Sequence, residues 1–121
     1  MGKRLHSAVK YEVTYGSKAD FAWESDKVNP IIDILAEMDC SYDGDDICFS
    51  ETVNANRANL LANIDKIVAP DASWDYQEDL DDMLYRLEKF TNITREQLHK
   101  SLKAIVEQSD SNCEDVHFAW F

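Results

Sequence analysis

Apolar and polar residues alternate from Val9 to Tyr15, with Val9, Tyr11, Val13 and Tyr15 set against Lys10, Glu12 and Thr14. A period of two in β-branched and aromatic residues predicts a half-buried strand. Phe21, Ala22 and Trp23, beyond Gly16, extend that strand or cover the edge of the core. The period then lengthens. Asn29 and Pro30 read as an N-cap followed by proline at the first helical position. Ile31, Ile34, Leu35 and Met38 recur behind them at helical spacing, which predicts a short amphipathic helix from Pro30 to Asp39.

Cys40 to Ser50 reads as a β-hairpin with Asp43-Gly44-Asp45-Asp46 at its tip, because Asp-Gly suits a tight turn. That pairing puts Cys40, Tyr42, Ile47 and Phe49 on one face and Cys48 on the other. Three helical stretches follow. Leu60, Leu61, Ile64, Ile67 and Val68 form a stripe along Asn54–Val68, closed by Pro70. Tyr76, Leu80, Leu84, Leu87 and Phe90 keep a helical rhythm, with Ser73 a candidate N-cap. Thr94 and Gln97 make a capping box, and Ile93 and Leu98 a hydrophobic staple. They open a helix whose core face is Leu98, Leu102, Ile105 and Val106. Val116 to Phe121 is a last strand, too apolar to be left exposed and best placed beside the N-terminal one.

The economical assembly is one α+β domain over residues 1–121. The N-terminal strand, the Cys40–Ser50 hairpin and the C-terminal strand make a small antiparallel sheet, covered by about four helices. A chain of 121 residues, 45% hydrophobic and with 5 Phe, 5 Tyr and 3 Trp, excludes intrinsic disorder. No run approaches the roughly 20 apolar residues of a membrane span. The basic stretch Met1–His6 has no apolar core behind it, so no secretory leader is expected. Cys40, Cys48 and Cys113 are odd in number and widely spaced, which suits free thiols in a reducing cytoplasm.

Charge changes the picture most. Twelve basic against 24 acidic residues leave a net charge of −12, which argues against direct binding to nucleic acid or to anionic membranes. Val28 to Asn56 carries Asp33, Glu37, Asp39, Asp43, Asp45, Asp46 and Glu51 with no Lys or Arg. Asp71 to Asp82 adds Asp71, Asp75, Glu78, Asp79, Asp81 and Asp82, again without a basic residue, whereas Met83 to Ile105 is net +3. The helix dipole accounts for acids in a first turn, but less well for Asp81 and Asp82. Asn54, Asn56, Asn59 and Asn63 add a row of amides, either partner-facing or simply solvated.

Candidate chemistry is thin. Asp39, Ser41, Asp43 and Gly44 resemble the opening of a calcium-binding EF-hand loop, but Asp46 stands where that loop needs an apolar residue and Ser50 where it needs glutamate. Cys113 and His117, with Cys40 and Cys48, have the ligand types of zinc without its close cysteine pairs. His99, beside Lys100 and Lys103, reads as a solvated residue. No phosphate loop, nucleophile elbow or metalloprotease motif occurs, and no cofactor or metal is expected.

The reading that follows is an acidic inhibitor that docks on a basic surface of a nuclease or nucleic-acid-binding protein. Two settings suit it: an immunity protein of a bacterial toxin, or a phage-type DNA mimic. The expected interface is Asp43, Asp45, Asp46, Trp74, Asp75, Glu78, Asp79, Asp81 and Asp82, with Trp74 the exposed aromatic and Tyr76 in the core. One alternative is a small enzyme or metal-binding protein using Cys113 and His117 or the Asp43–Asp46 loop. Another is an oligomeric accessory protein that pairs through its apolar terminal strand.

Overall fold

Val116, Phe118 and Trp120 are buried and alternate with Asp115, His117 and Ala119, and this alternation builds the central strand of the sheet. The computed structural model describes residues 5–8 and 25–120. Its four antiparallel strands lie in the order β1 (Leu5–Ala8), β4 (Asp115–Trp120), β3 (Thr52–Asn56) and β2 (Cys40–Tyr42). Leu5 sits opposite Trp120, Val53 opposite Phe118 and Ala55 opposite Val116. These residues form the buried face, over which the helices α1 (Ser25–Leu35), α2 (Arg57–Asn63), α3 (Gln77–Thr91) and α4 (Arg95–Gln108) supply the rest of the core.

The expected α+β fold is observed, but the strand that pairs with β4 is Leu5–Ala8, which carries no strand pattern of its own in the sequence. The alternation from Val9 to Tyr15 and the Phe21–Trp23 stretch lie outside the described residues. Because β4 is paired on both sides, it offers no free edge to a second copy, and pairing through the terminal strand is overturned.

Both ends of α1 differ from expectation. Pro30 lies inside α1, which starts at Ser25. Asn29 is fully buried and does not cap: its Nδ2 donates to the carbonyls of Ile47 (2.8 Å) and Ser50 (2.9 Å), and its Oδ1 accepts from Trp120 Nε1 (2.8 Å). α1 ends at Leu35 rather than Asp39, because Glu37 and Met38 turn left-handed at φ 55° and 63°, a conformation that costs about 1 kcal/mol per residue. The asparagine row offsets that cost. Asn59 donates to the Ala36 carbonyl (3.0 Å), and Asn63, also buried, donates to that of Leu35 (2.9 Å).

The hairpin is also corrected. β2 pairs with Thr52–Asn56, Cys40 opposite Ala55 and Tyr42 opposite Val53, while Ile47–Phe49 coils into a 3-10 turn. The stretch expected as one helix from Asn54 divides into the end of β3, then α2 capped by Asn56 Oδ1 on the Asn59 N–H (3.0 Å), then a 3-10 turn at Ile64–Ile67. Leu60, Ile64 and Ile67 are buried, whereas Leu61 and Val68 are exposed. α3 begins without a side-chain cap, since the Ser73 hydroxyl donates to Asp71 (2.6 Å), and Phe90 points out of the core. α4 opens as predicted: Thr94 Oγ1 accepts from the Gln97 N–H (3.2 Å), and Ile93 and Leu98 are both buried.

Candidate protein-binding surface

The loop between β2 and β3 carries Asp43, Asp45 and Asp46, all exposed. Its shape is set by short polar side chains that bond locally, as Asp and Ser do in turns. Asp46 Oδ1 accepts from the Cys48 N–H (2.9 Å), and Asp43 Oδ1 accepts from the Thr52 N–H (3.0 Å). The buried Ser50 hydroxyl is shared between the carbonyls of Asp43 and Asp46 (3.0 Å to the latter). Gly44 supplies the one glycine φ of +76° the turn requires. From beneath, Asn29 grips the carbonyls of Ile47 and Ser50, which joins the loop to the core through Trp120.

This frame presents Phe49, 71% exposed, and Tyr42, 41% exposed, beside the three carboxylates. Sequence reasoning put both aromatics on one face of a hairpin and left them out of the expected interface. The only local clue is the Asp46 to Ser50 spacing of turn-forming residues. Among the described residues, Asp43, Asp45 and Asp46 make no ion pair.

The second acidic block has a different character. Asp81 accepts from Gln77 Nε2 (3.0 Å) and pairs with Arg95 (3.1 Å), whose other nitrogen donates to the Ile67 carbonyl (3.2 Å). Asp82 pairs with Arg86 one turn on (3.2 Å). The missing counter-charge thus comes from the next turn of α3 and from α4. Asp75, Glu78 and Asp79 stay exposed at the start of α3, where the helix dipole favours them.

Trp74 is not the exposed aromatic. It is half-buried, stands edge-on to Tyr76 (5.7 Å, 68°) and lies under the Lys66 ammonium (4.6 Å), its indole N–H buried without an acceptor. With Ser73, Asp75, Gln77, Glu78 and Asp81 it lines a cleft of about 400 Å³.

The Asp43–Asp46 loop and the start of α3 are anchored through different elements. The loop is tied to Asn29 in the first half of α1. The start of α3 is tied through Gln77 to the Lys66 carbonyl (3.5 Å), in the turn that follows Asn63, and Asn63 holds the last carbonyl of α1.

Cys113, His99 and His117 bond to neighbouring side chains. None of the three cysteines is in a disulfide, and Cys113, Glu114, Asp115 and His117 line a shallow cleft of about 240 Å³. His117 Nδ1 donates to Asn54 Oδ1 (2.5 Å), and the Cys113 thiol donates to the Asp110 carboxylate (3.5 Å). Among the described residues no group of His, Cys, Asp and Glu is arranged to hold a metal ion. His99 is not merely solvated. It bonds Asp65 (2.8 Å), which Lys103 also reaches (3.3 Å), fastening α4 to the Ile64–Ile67 turn and drawing the Asp65 carboxyl below its usual range.

Cys40 is the most perturbed group. Burial, and then the Asp33 carboxylate that accepts its S–H (2.8 Å), push its thiol up to about 12. The thiolate is the reactive form, so at about pH 8 iodoacetamide should label Cys40 at least 10-fold more slowly in the folded than in the urea-unfolded chain. Equal rates, read residue by residue by mass spectrometry, would count against it. The folded state holds this proton more tightly, so its stabilisation is complete below the ordinary thiol value of 9.0 and is lost as pH climbs towards 12.

No family model matches the sequence, and no curated protein and no solved structure matches it. Among the described residues no helix is long and apolar enough to cross a membrane. Surface chemistry is therefore the guide to function.

Proposed function

We propose that this protein is a cytoplasmic, acidic inhibitor that docks its Asp43–Phe49 loop on a basic surface of a nuclease or nucleic-acid-binding protein. The observation that carries the reading is an exposed phenyl ring beside exposed carboxylates that make no ion pair among the described residues, on a loop tied down by Asn29 and Ser50. Carboxylates steer such a protein towards Lys and Arg and raise its association rate. A loop already in its bound shape loses little entropy on docking. A ring at the centre of the contact supplies the apolar anchor typical of interface hot spots.

Of the two settings, a nuclease-toxin immunity protein is favoured over a DNA mimic. A mimic needs carboxylates spread along a track, like phosphates on a duplex. Here acid with an aromatic anchor is gathered in one loop, while in the other block Asp81 and Asp82 are already paired with Arg95 and Arg86.

Asp45→Lys and Phe49→Ala test the reading, because neither side chain holds the loop together; Asp81→Lys would confound it by breaking the Arg95 contact. Affinity capture from the native host at low salt should retain one basic nuclease, released at about 0.5 M salt, where the Debye length falls to a few ångströms. Each variant should weaken that binding at least 10-fold, about 1.4 kcal/mol, and relieve inhibition of the nuclease. A partner indifferent to salt and to both variants would sink the proposal.

A further inference from the structure

The groove between α1 and α3, about 300 Å³ in volume, is lined by Asp26, Lys27, Pro30, Met83, Arg86 and Phe90. Pro30, Met83 and Phe90 give it an apolar floor. Phe90 is 66% exposed and Tyr85, further along the same helix, 63%. Cations line its α3 side, where Lys89 lies 5.6 Å from the Phe90 ring and 5.9 Å from the Tyr85 ring and Arg86 is 68% exposed; on the α1 side Lys27 is paired with Asp26 (2.9 Å). Arg86 is engaged by Asp82 in an exposed pair one turn apart, a contact worth only about 0.3–0.5 kcal/mol and readily exchanged. In a chain of net charge −12, this groove opens on the stretch from Met83 that carries net positive charge.

The Asp43–Phe49 loop is its complement in both respects, a phenyl ring with carboxylates beside it. Loop and groove also flank the same half of α1: Asn29 holds the loop, and the next residue, Pro30, lines the groove. Phe49 does not fill the groove of its own chain, as its exposure shows. We infer that two copies of this chain pair reciprocally, the Asp43–Phe49 loop of each seated in the α1–α3 groove of the other. Two complementary patches side by side are satisfied together by a two-fold axis, the commonest symmetry of homo-oligomers. Repulsion between two acidic chains acts at longer range and is screened at physiological ionic strength, where the Debye length is about 8 Å. The pairing goes beyond the inhibitor reading: the dimer withholds the loop from any other partner.

Sedimentation velocity of the purified full chain at about 0.15 M salt tests it with no partner present, so failure here leaves the inhibitor reading standing. The expected mass rises with concentration from 13.9 kDa towards twice that value and no further. Phe49→Ala and Lys89→Glu should each weaken dimerisation at least 10-fold without moving Tm, since both residues are exposed. Asp45→Lys combined with Lys89→Glu, which reverses charge on both sides of each contact, should recover most of the loss. A chain that stays at 13.9 kDa up to about 1 mM, a dimer indifferent to Phe49→Ala and Lys89→Glu, or a double variant that recovers nothing overturns the inference.

Discussion

Asn29→Leu should lower the stability of this protein by about 3 kcal/mol or more, the range reached when buried polar partners lose their bonds. Leucine is close to asparagine in size, so the loss is chiefly one of hydrogen bonding. Asn29 is fully buried and serves three partners: the carbonyls of Ile47 and Ser50 and the indole N–H of Trp120. Deleting the amide takes a donor from each carbonyl and the acceptor from the indole N–H, leaving the Ile47 carbonyl only the longer bond from the Ser50 N–H (3.3 Å). Asn29→Asp should be at least as damaging, because it keeps an acceptor for Trp120 but turns carboxylate oxygen towards two carbonyls that need donors. Urea unfolding gives the stability change, and for a domain of this size Tm should fall by about 10 °C. The loop should also loosen, so amide exchange from Asp46 to Ser50 should rise in the variant. A loss below about 0.5 kcal/mol, the range of ordinary surface substitutions, would falsify the view that Asn29 holds the acidic loop in place. Because the proposed interface depends on that loop's shape, the variant should also bind its partner more weakly.

Arg57 should be the second most sensitive polar position. It stands at the junction of β3 and α2, and its guanidinium spans the chain from the end of α4 to the start of β4. Nε donates to the Cys113 carbonyl (3.1 Å), Nη1 to the Val106 carbonyl (3.1 Å) and the Ser109 hydroxyl (2.5 Å), and Nη2 to the Asp110 carbonyl. These are neutral acceptors, so the cation acts here as a rigid fork of donors that closes the end of a helix and a turn. Arg57→Lys keeps the charge and loses the fork. It should cost about 2–3 kcal/mol, with Arg57→Met similar, the discount from the summed bonds reflecting partial exposure of the site. Chemical denaturation measures the cost, and faster amide exchange from Ser109 to Glu114 locates it. If lysine proved equivalent to arginine, charge alone would be the requirement and the fork would have no role.

Much of the fold was legible in the sequence where a pattern is local. Thr94 and Gln97 marked the start of α4 correctly because a cap needs only its own first turn. The alternation in Val116–Trp120 marked β4, whereas its partner Leu5–Ala8 carries no alternation that would have marked it. The acidic loop was visible as composition, and the Asp43-Gly44 turn as chemistry. The aromatic partner of that acid was misread as Trp74, since an aromatic among acids looks exposed until its neighbours are known. Tyr76 and Lys66 cover Trp74, while Phe49, in a segment with strand-like spacing, faces solvent.

What the sequence by itself determined is the α+β class, the helical segments with strong apolar rhythm, the capped start of α4 and the uneven charge. What only the tertiary structure decided is where the polar side chains go. Asn29 looked like a helix cap and is the buried tie between loop and core. Asn59 and Asn63 looked like a surface row and instead receive the end of α1. Asp81 and Asp82 looked uncompensated until Arg95 and Arg86 came within reach. The physical reason is common to all of them. Apolar periodicity is a property of one segment, readable over a few turns or strand residues. A short polar side chain will bond any donor or acceptor that the fold brings within about 3 Å, and in most of these cases that neighbour belongs to a different element of the chain.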